Sequence, residues 1–202
     1  MANERIIYFA HGQESRPRGT KIKRLAQIAE NLNFEVQIPD YSGIKSGYGR
    51  VEKLLSLQPS ASEQLILVGS SVGSWVSLCA SEKLKPQGLF LMASAVGLKN
   101  LEPTSPRPIA EKTLLAHGWN DDVVPVENAI NFARNYQVPL HLLPSDHRLI
   151  TQLDSVANIF QNFLQQCLES KKDGDPRSQW EKEQEAKFQK ETIKQTQPRI
   201  PR

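Results

Sequence analysis

The 202-residue chain is long enough for one domain with a sizeable core and short for two. Its net charge of +3 comes from the C-terminal tail: residues 1–169 hold sixteen Lys or Arg against sixteen Asp or Glu, and residues 170–202 hold nine against six. A neutral body without a basic stripe argues against a nucleic-acid enzyme. No apolar run approaches the roughly 18 residues a membrane span needs, and Cys79 and Cys167, with no C-x-x-C spacing, argue against a disulfide framework or a zinc site.

Ile6 to Ala10 is an apolar, β-prone run that stops at His11-Gly12-Gln13, as a buried strand stops at a loop. From Thr20, read as an N-cap, apolar residues recur at Ile22, Leu25, Ile28, Ala29 and Leu32, the pattern of an amphipathic helix. Phe34 to Ile38 alternates as a half-buried strand, and a glycine- and serine-rich loop from Tyr41 to Gly49 leads to a short helix around Val51, Leu54, Leu55 and Leu57.

The informative stretch comes next. Gln64-Leu65-Ile66-Leu67-Val68 runs straight into Gly69-Ser70-Ser71-Val72-Gly73, followed by Val76, Leu78 and Ala80 at helical intervals. Strand, tight turn and helix in this order with Gly-x-Ser-x-Gly at the turn make a nucleophile elbow, which exposes one serine in a strained conformation. The residues two before and two after that serine must be small, because the strand and helix backbones nearly touch there. Gly69 and Gly73 meet the requirement, which makes Ser71 the candidate nucleophile.

Gly88 to Ser94 is another buried strand, and the segment from Ala95 to Lys112, with Pro103, Pro106 and Pro108, is too short and irregular for an added lid domain. Thr113 to Ala116 is the next strand, ending at His117-Gly118-Trp119-Asn120-Asp121-Asp122. A helix follows Pro125, a strand spans Pro139 to Leu143, and the strongest helical pattern closes the body from Leu149 to Cys167. Strands that are apolar throughout and alternate with helices call for a parallel sheet covered on both faces. Functional groups then gather at the carboxyl ends of the strands, where His11, Ser71, Asp121 and His147 all fall. Residues 170–202, rich in Gln, Lys and Glu with few apolar side chains, are read as a largely disordered tail beyond a domain of residues 1–169.

A serine hydroxyl becomes nucleophilic only beside a base, and that base needs a group to hold its tautomer. His141 lies inside a strand, and His11 and His117 each precede a glycine at a strand end, where an imidazole braces a loop. His147 follows the last strand in a polar loop, last in the order Ser, Asp, His, and is the candidate base. Either Asp121 or Asp122 is the acid, while Asp146, next to His147 in sequence, reads as a loop brace. The Val72 N–H at the start of the helix after the elbow and the Gln13 N–H after the first strand are the candidate oxyanion donors.

Four segments together, Phe9-Ala10-His11-Gly12, Gly69-Ser70-Ser71-Val72-Gly73, His117 through Pro125 and Asp146-His147-Arg148, give the chain a resemblance to the α/β-hydrolase superfamily, spread in order over residues 6–169. It is most similar to short bacterial esterases with a GSSxG elbow and, more loosely, to dienelactone-hydrolase-like enzymes. The resemblance implies a single-domain α/β-hydrolase fold with a mostly parallel sheet of about six strands, helices on both faces and no lid. It also implies Ser71, Asp121 and His147 as the triad, since in the His-Gly-x-x-Asp-x-x-Val-Pro pattern the acid is the first aspartate. The proline-rich segment after Ser94 and the charged tail depart from the family pattern.

The expected activity is hydrolysis of small carboxylic esters or thioesters through an acyl-enzyme, with a non-catalytic ligand-binding or regulatory protein on the same scaffold as the alternative. No phosphate loop, dinucleotide fingerprint or metal-spaced cluster is present, so no cofactor and no metal are expected. The expected partner is a small acyl substrate, with neither nucleic acid nor membrane. The opening residues, Met1 to Arg5, lack a basic region leading into an apolar one, so the expected location is the cytoplasm.

Overall fold

Each buried apolar run becomes a strand of one six-stranded sheet in the computed structural model, which describes residues 4–13 and 17–169. In chain order the elements are β1 (Arg5–Ala10), α1 (Thr20–Asn31), β2 (Glu35–Gln37), α2 (Gly47–Ser56), β3 (Gln64–Ser70), α3 (Val72–Leu84), β4 (Gly88–Met92), β5 (Lys112–Gly118), α4 (Val126–Tyr136), β6 (Leu140–Leu143), a 3-10 turn (Ile150–Gln152) and α5 (Leu153–Glu169). The strand order is β2-β1-β3-β4-β5-β6 and every pairing is parallel. β3 and β4 are buried along their whole length, as strands covered on both faces must be.

One apolar layer joins Leu54 of α2, Trp75 and Leu78 of α3 and Phe132 of α4 to Leu67 and Leu91 of the sheet. The other joins Leu25 of α1 and Phe160 and Phe163 of α5 to Ile66, Phe90 and Met92. The chain leaves β1 toward β2 and then returns across it to β3, so the order reverses between β1 and β3. In an open parallel sheet a crevice forms at the carboxyl edge beside that reversal, and Ser71 follows β3 there. The compact unit ends at Leu168. The tail read as disordered, residues 170–202, lies outside the described residues.

Several boundaries differ from the sequence reading. Thr20 is the first helical residue and not the N-cap: Gly19 caps in an extended conformation, and its carbonyl accepts the N–H of Lys23. The strand expected over Phe34–Ile38 shrinks to three residues, because β2 is an edge strand with only β1 to pair with. β4 stops at Met92, since Ala93 takes a positive φ of 42°. β5 continues through His117 and Gly118, held by β6 alongside. The closing helix begins with a 3-10 turn after Leu149, whose φ is also positive.

The segment between β4 and β5 carries no regular structure, yet it is tied down. Trp75 of α3 donates its Nε1–H to the Pro103 carbonyl at 2.8 Å, Tyr136 of α4 donates its hydroxyl to Ser105 O at 3.0 Å, and Asn128 donates its amide to Val96 O at 3.0 Å. The Ile109 N–H donates to Ser81 Oγ at 3.1 Å. This segment is a wall and not an added domain.

The elbow glycines are required by space. A Cβ at Gly73 would overlap the Ala10 carbonyl at the end of β1, and one at Gly69 would overlap the backbone of Ser74. Neither neighbour is a flexible side chain that could turn aside, so Gly73→Ala is expected to lower unfolding stability by about 3 kcal/mol or more, at the upper end of overpacking costs. Urea denaturation monitored by circular dichroism checks this; a variant as stable as the parent would mean that β1 and α3 can move apart.

Candidate active site

Ser71 sits between β3 and α3 with φ 56° and ψ −124°, a conformation that L residues rarely adopt. The surroundings hold it there: its N–H donates to Met92 O at 2.9 Å, and its carbonyl accepts from Ser74 N–H at 2.9 Å and Ala95 N–H at 3.3 Å. The turn lifts the hydroxyl off the sheet edge into an open cavity of about 1280 Å³ that His147, Val72 and Gln13 also line.

The loops after β5 and β6 are zipped together. Trp119 N–H donates to Leu143 O at 2.8 Å, and Asn120 N–H donates to Ser145 O at 3.0 Å. Gly118 permits this, since a Cβ there would overlap the Ser145 and Asp146 carbonyls. The pairing brings two distant side chains together: His147 Nδ1 lies 2.8 Å from Asp121 Oδ2 and 2.9 Å from Oδ1. His147 Nε2 lies 3.0 Å from Ser71 Oγ. A carboxylate can only accept here, so the imidazole proton sits on Nδ1 and Nε2 is left free to accept from the Ser71 hydroxyl. Asp122 is exposed and stands outside this chain of bonds.

Asp121 is fully enclosed, with no side-chain surface exposed. Burial alone pushes its carboxyl up, but hydrogen bonds from His147, from Val124 N–H at 2.7 Å and from Val123 N–H at 3.0 Å outweigh it and hold the pKa below the ordinary carboxylate value. His117 adds a further partner that its reading as a loop brace did not include. Its Nε2 lies 3.2 Å from Asp121 Oδ2 and 3.0 Å from the Val124 carbonyl, two acceptors, so Nε2 carries the proton. Sequence order gives no hint of this contact, because His117 points back from inside β5.

His11 anchors the loop that bears Gln13. Its Nδ1–H donates to Gly12 O at 2.8 Å, and its Nε2 accepts from Tyr41 N–H at 3.0 Å. The buried guanidinium of Arg50 donates to His11 O at 3.2 Å and to Ile44 O at 2.9 Å. Across from this loop, Val72 opens α3, so its N–H is one of those that a helix leaves without an intrahelical partner. Asp146 braces its own turn, accepting from Arg148 N–H and Leu149 N–H, and His141 is exposed on the edge strand β6. Cys79 and Cys167 are free thiols pushed up to about 12 by burial, so neither offers a thiolate. Among the described residues no group of three or more His, Cys, Asp or Glu is placed to hold a metal ion.

Burial lowers the pKa of both His11 and His117: His11 Nε2 must stay unprotonated to accept from Tyr41 N–H, and a proton added at the buried His117 Nδ1 would find no hydrogen-bond partner. In the unfolded chain both would titrate near about 6.5. As pH falls through that value the unfolded state takes up protons that the fold refuses, so the stability present at higher pH is progressively lost. The urea midpoint is therefore expected to fall between about pH 7.5 and about pH 5; an unchanged midpoint would show that these rings are not held neutral.

No family model and no curated protein matches the chain. Solved structures do. A protein from Xanthomonas campestris pv. campestris assigned to the alpha/beta hydrolase superfamily is 27% identical, with a TM-score of 0.73 over 81% of this chain and 99% of its own. An alpha-beta serine hydrolase homologue from Coxiella burnetii is 18% identical, with a TM-score of 0.67 over 79% and 86%. A lidless serine hydrolase from Xanthomonas campestris is 18% identical, with a TM-score of 0.65 over 82% and 84%. The chain has the single-domain α/β-hydrolase fold without a lid, and its neighbours support a hydrolase in general terms. No helix among the described residues is long and apolar enough to cross a membrane.

Proposed function

We propose that this protein is a cytoplasmic serine hydrolase that cleaves carboxylic esters or thioesters through an acyl-enzyme. The observation that carries the reading is the unbroken chain of hydrogen bonds from Ser71 Oγ through His147 to Asp121, opening on a cavity. Ser71 Oγ attacks the acyl carbon while its proton passes to His147 Nε2. Asp121 orients the ring and stabilises the imidazolium that forms. The Val72 and Gln13 N–H groups, both on residues that line the cavity beside Ser71, would donate to the developing oxyanion, and one such donor contributes about 3 kcal/mol in a typical case. Collapse of the tetrahedral intermediate breaks the bond to the leaving oxygen or sulfur, which takes the proton from His147. Water then attacks the acyl-enzyme with His147 as base, releasing the acid and restoring the Ser71 hydroxyl.

The cavity of about 1280 Å³ has room for a small acyl group together with its leaving group. The test is turnover of p-nitrophenyl esters together with labelling by a fluorophosphonate probe, mapped to Ser71. Folded protein that neither turns over any ester nor takes the label would overturn the proposal.

A further inference from the structure

Cations dominate the cavity above Ser71. Among the described residues Arg18, Lys21, Lys23, Lys45, Lys99 and Arg148 line it, against one carboxylate, that of Glu102. Residues 1–169 carry the two signs in equal number, so this wall concentrates a charge that the body as a whole lacks. Among the described residues none of the six side chains has a carboxylate within ion-pair distance. A concave surface lined by one sign focuses its field into the space it encloses.

The six come from separate parts of the chain. Arg18, Lys21 and Lys23 stand at the start of α1, whose N-cap Gly19 has no side chain to satisfy the first amides, so the positive end of that helix adds to the field. Lys21 feels Asp121, Asp146 and Arg148, which sets it on the His147 side of the cavity. Burial pushes its ammonium down to about 8 in spite of the attraction of the two aspartates, so it is still mostly charged at neutral pH and an arriving anion would favour that charged form further. Lys45 precedes α2, and Lys99 lies on the wall between β4 and β5. Tyr48, Leu98 and Ile150 supply an apolar surface in the same cavity.

Resting on the hydrolase reading above, we propose that the substrate is an anion: the ester or thioester cleaved at Ser71 carries a carboxylate or phosphate group that these six cations hold, while its apolar part lies on Tyr48, Leu98 and Ile150. A phosphate would sit on the leaving group, as in an acyl-coenzyme A, and a carboxylate would end the acyl chain, as in a dicarboxylic monoester.

Two pairs of substrates matched in length test this. One pair is p-nitrophenyl hydrogen adipate against p-nitrophenyl hexanoate; the other is hexanoyl-4′-phosphopantetheine against hexanoylpantetheine. The expected result is a kcat/KM at least about tenfold higher for the anionic member of one pair, which identifies the carboxylate or the phosphate as the group read, and a preference that shrinks as salt rises from about 50 mM to about 500 mM. The double change Lys45→Glu with Lys99→Glu should bring the ratio toward one, while Lys83→Glu with Lys85→Glu, which lie outside the cavity, should leave it. Ratios within about twofold in both pairs, insensitive to salt, would overturn the proposal and leave the hydrolase reading standing. Calorimetry on Ser71→Ala protein separates the two readings. Binding of adipate or coenzyme A without turnover of any ester by the parent protein would support the anion site and overturn the hydrolase, whereas binding of neither anion would overturn the anion site.

Discussion

Ser71→Ala is expected to lower kcat for a short p-nitrophenyl ester by about 10⁶, leaving a residue of about 10³ over the uncatalysed rate from substrate binding and the oxyanion donors. Only Oγ forms the new bond to the acyl carbon, and nothing nearby replaces it: Ser70 is buried, and the turn presents one hydroxyl at its apex. The side chain is small and the strained backbone belongs to the turn, so the melting temperature should hardly move. His147→Ala should lose nearly as much, and the double variant little more, because the pair acts as one unit. A Ser71→Ala loss of less than about tenfold, measured on folded protein free of contaminating esterase, would remove this serine from the chemistry.

Asp121→Asn should reduce kcat by about 10⁴ while Asp122→Asn stays near the parent rate. The difference follows from donors and acceptors. One oxygen of Asp121 already accepts the Val123 and Val124 amides, so an asparagine would keep its single carbonyl oxygen there and turn its NH₂ toward His147 Nδ1. The imidazole would then have to accept at Nδ1 and carry its proton on Nε2, facing Ser71 with a donor where an acceptor is needed. His117 would meet the same NH₂ with its own N–H but keeps the Val124 carbonyl, so the fold has an outlet that the chemistry does not. Parallel pH profiles of kcat/KM for the two variants give the comparison. Equal losses would mean that the carboxylate at 121 does not set the tautomer.

Much of this was readable from residue types alone, and the reason is spatial economy. The elbow is legible because two backbones approach so closely that only glycine fits at both Gly69 and Gly73, so the pattern is written in the chain at fixed spacing. His147 and Asp121 are legible because parallel strands deliver their successors to one edge. The choice between Asp121 and Asp122 was not a matter of pattern in the residues themselves; it depends on which carboxylate turns under the loop to meet Val123 and Val124. Less legible still were the role of His117, which contacts Asp121 from within a strand, and the wall between β4 and β5, whose path is set by bonds joining Val96, Pro103, Ser105 and Ile109 to Asn128, Trp75, Tyr136 and Ser81. Irregular backbone has no period to read. The basic lining of the cavity was equally hidden, because its members are far apart in sequence and a balanced total masks their gathering.

The tethering of that wall bears on how the protein would meet its substrate. Trp75 and Tyr136 hang it from two helices of the scaffold, so it shares their rigidity and is not a flap. If the proposed hydrolysis holds, a centre built this way would need no lipid surface to uncover it, and turnover of a short ester is expected to show no jump where the ester begins to form micelles.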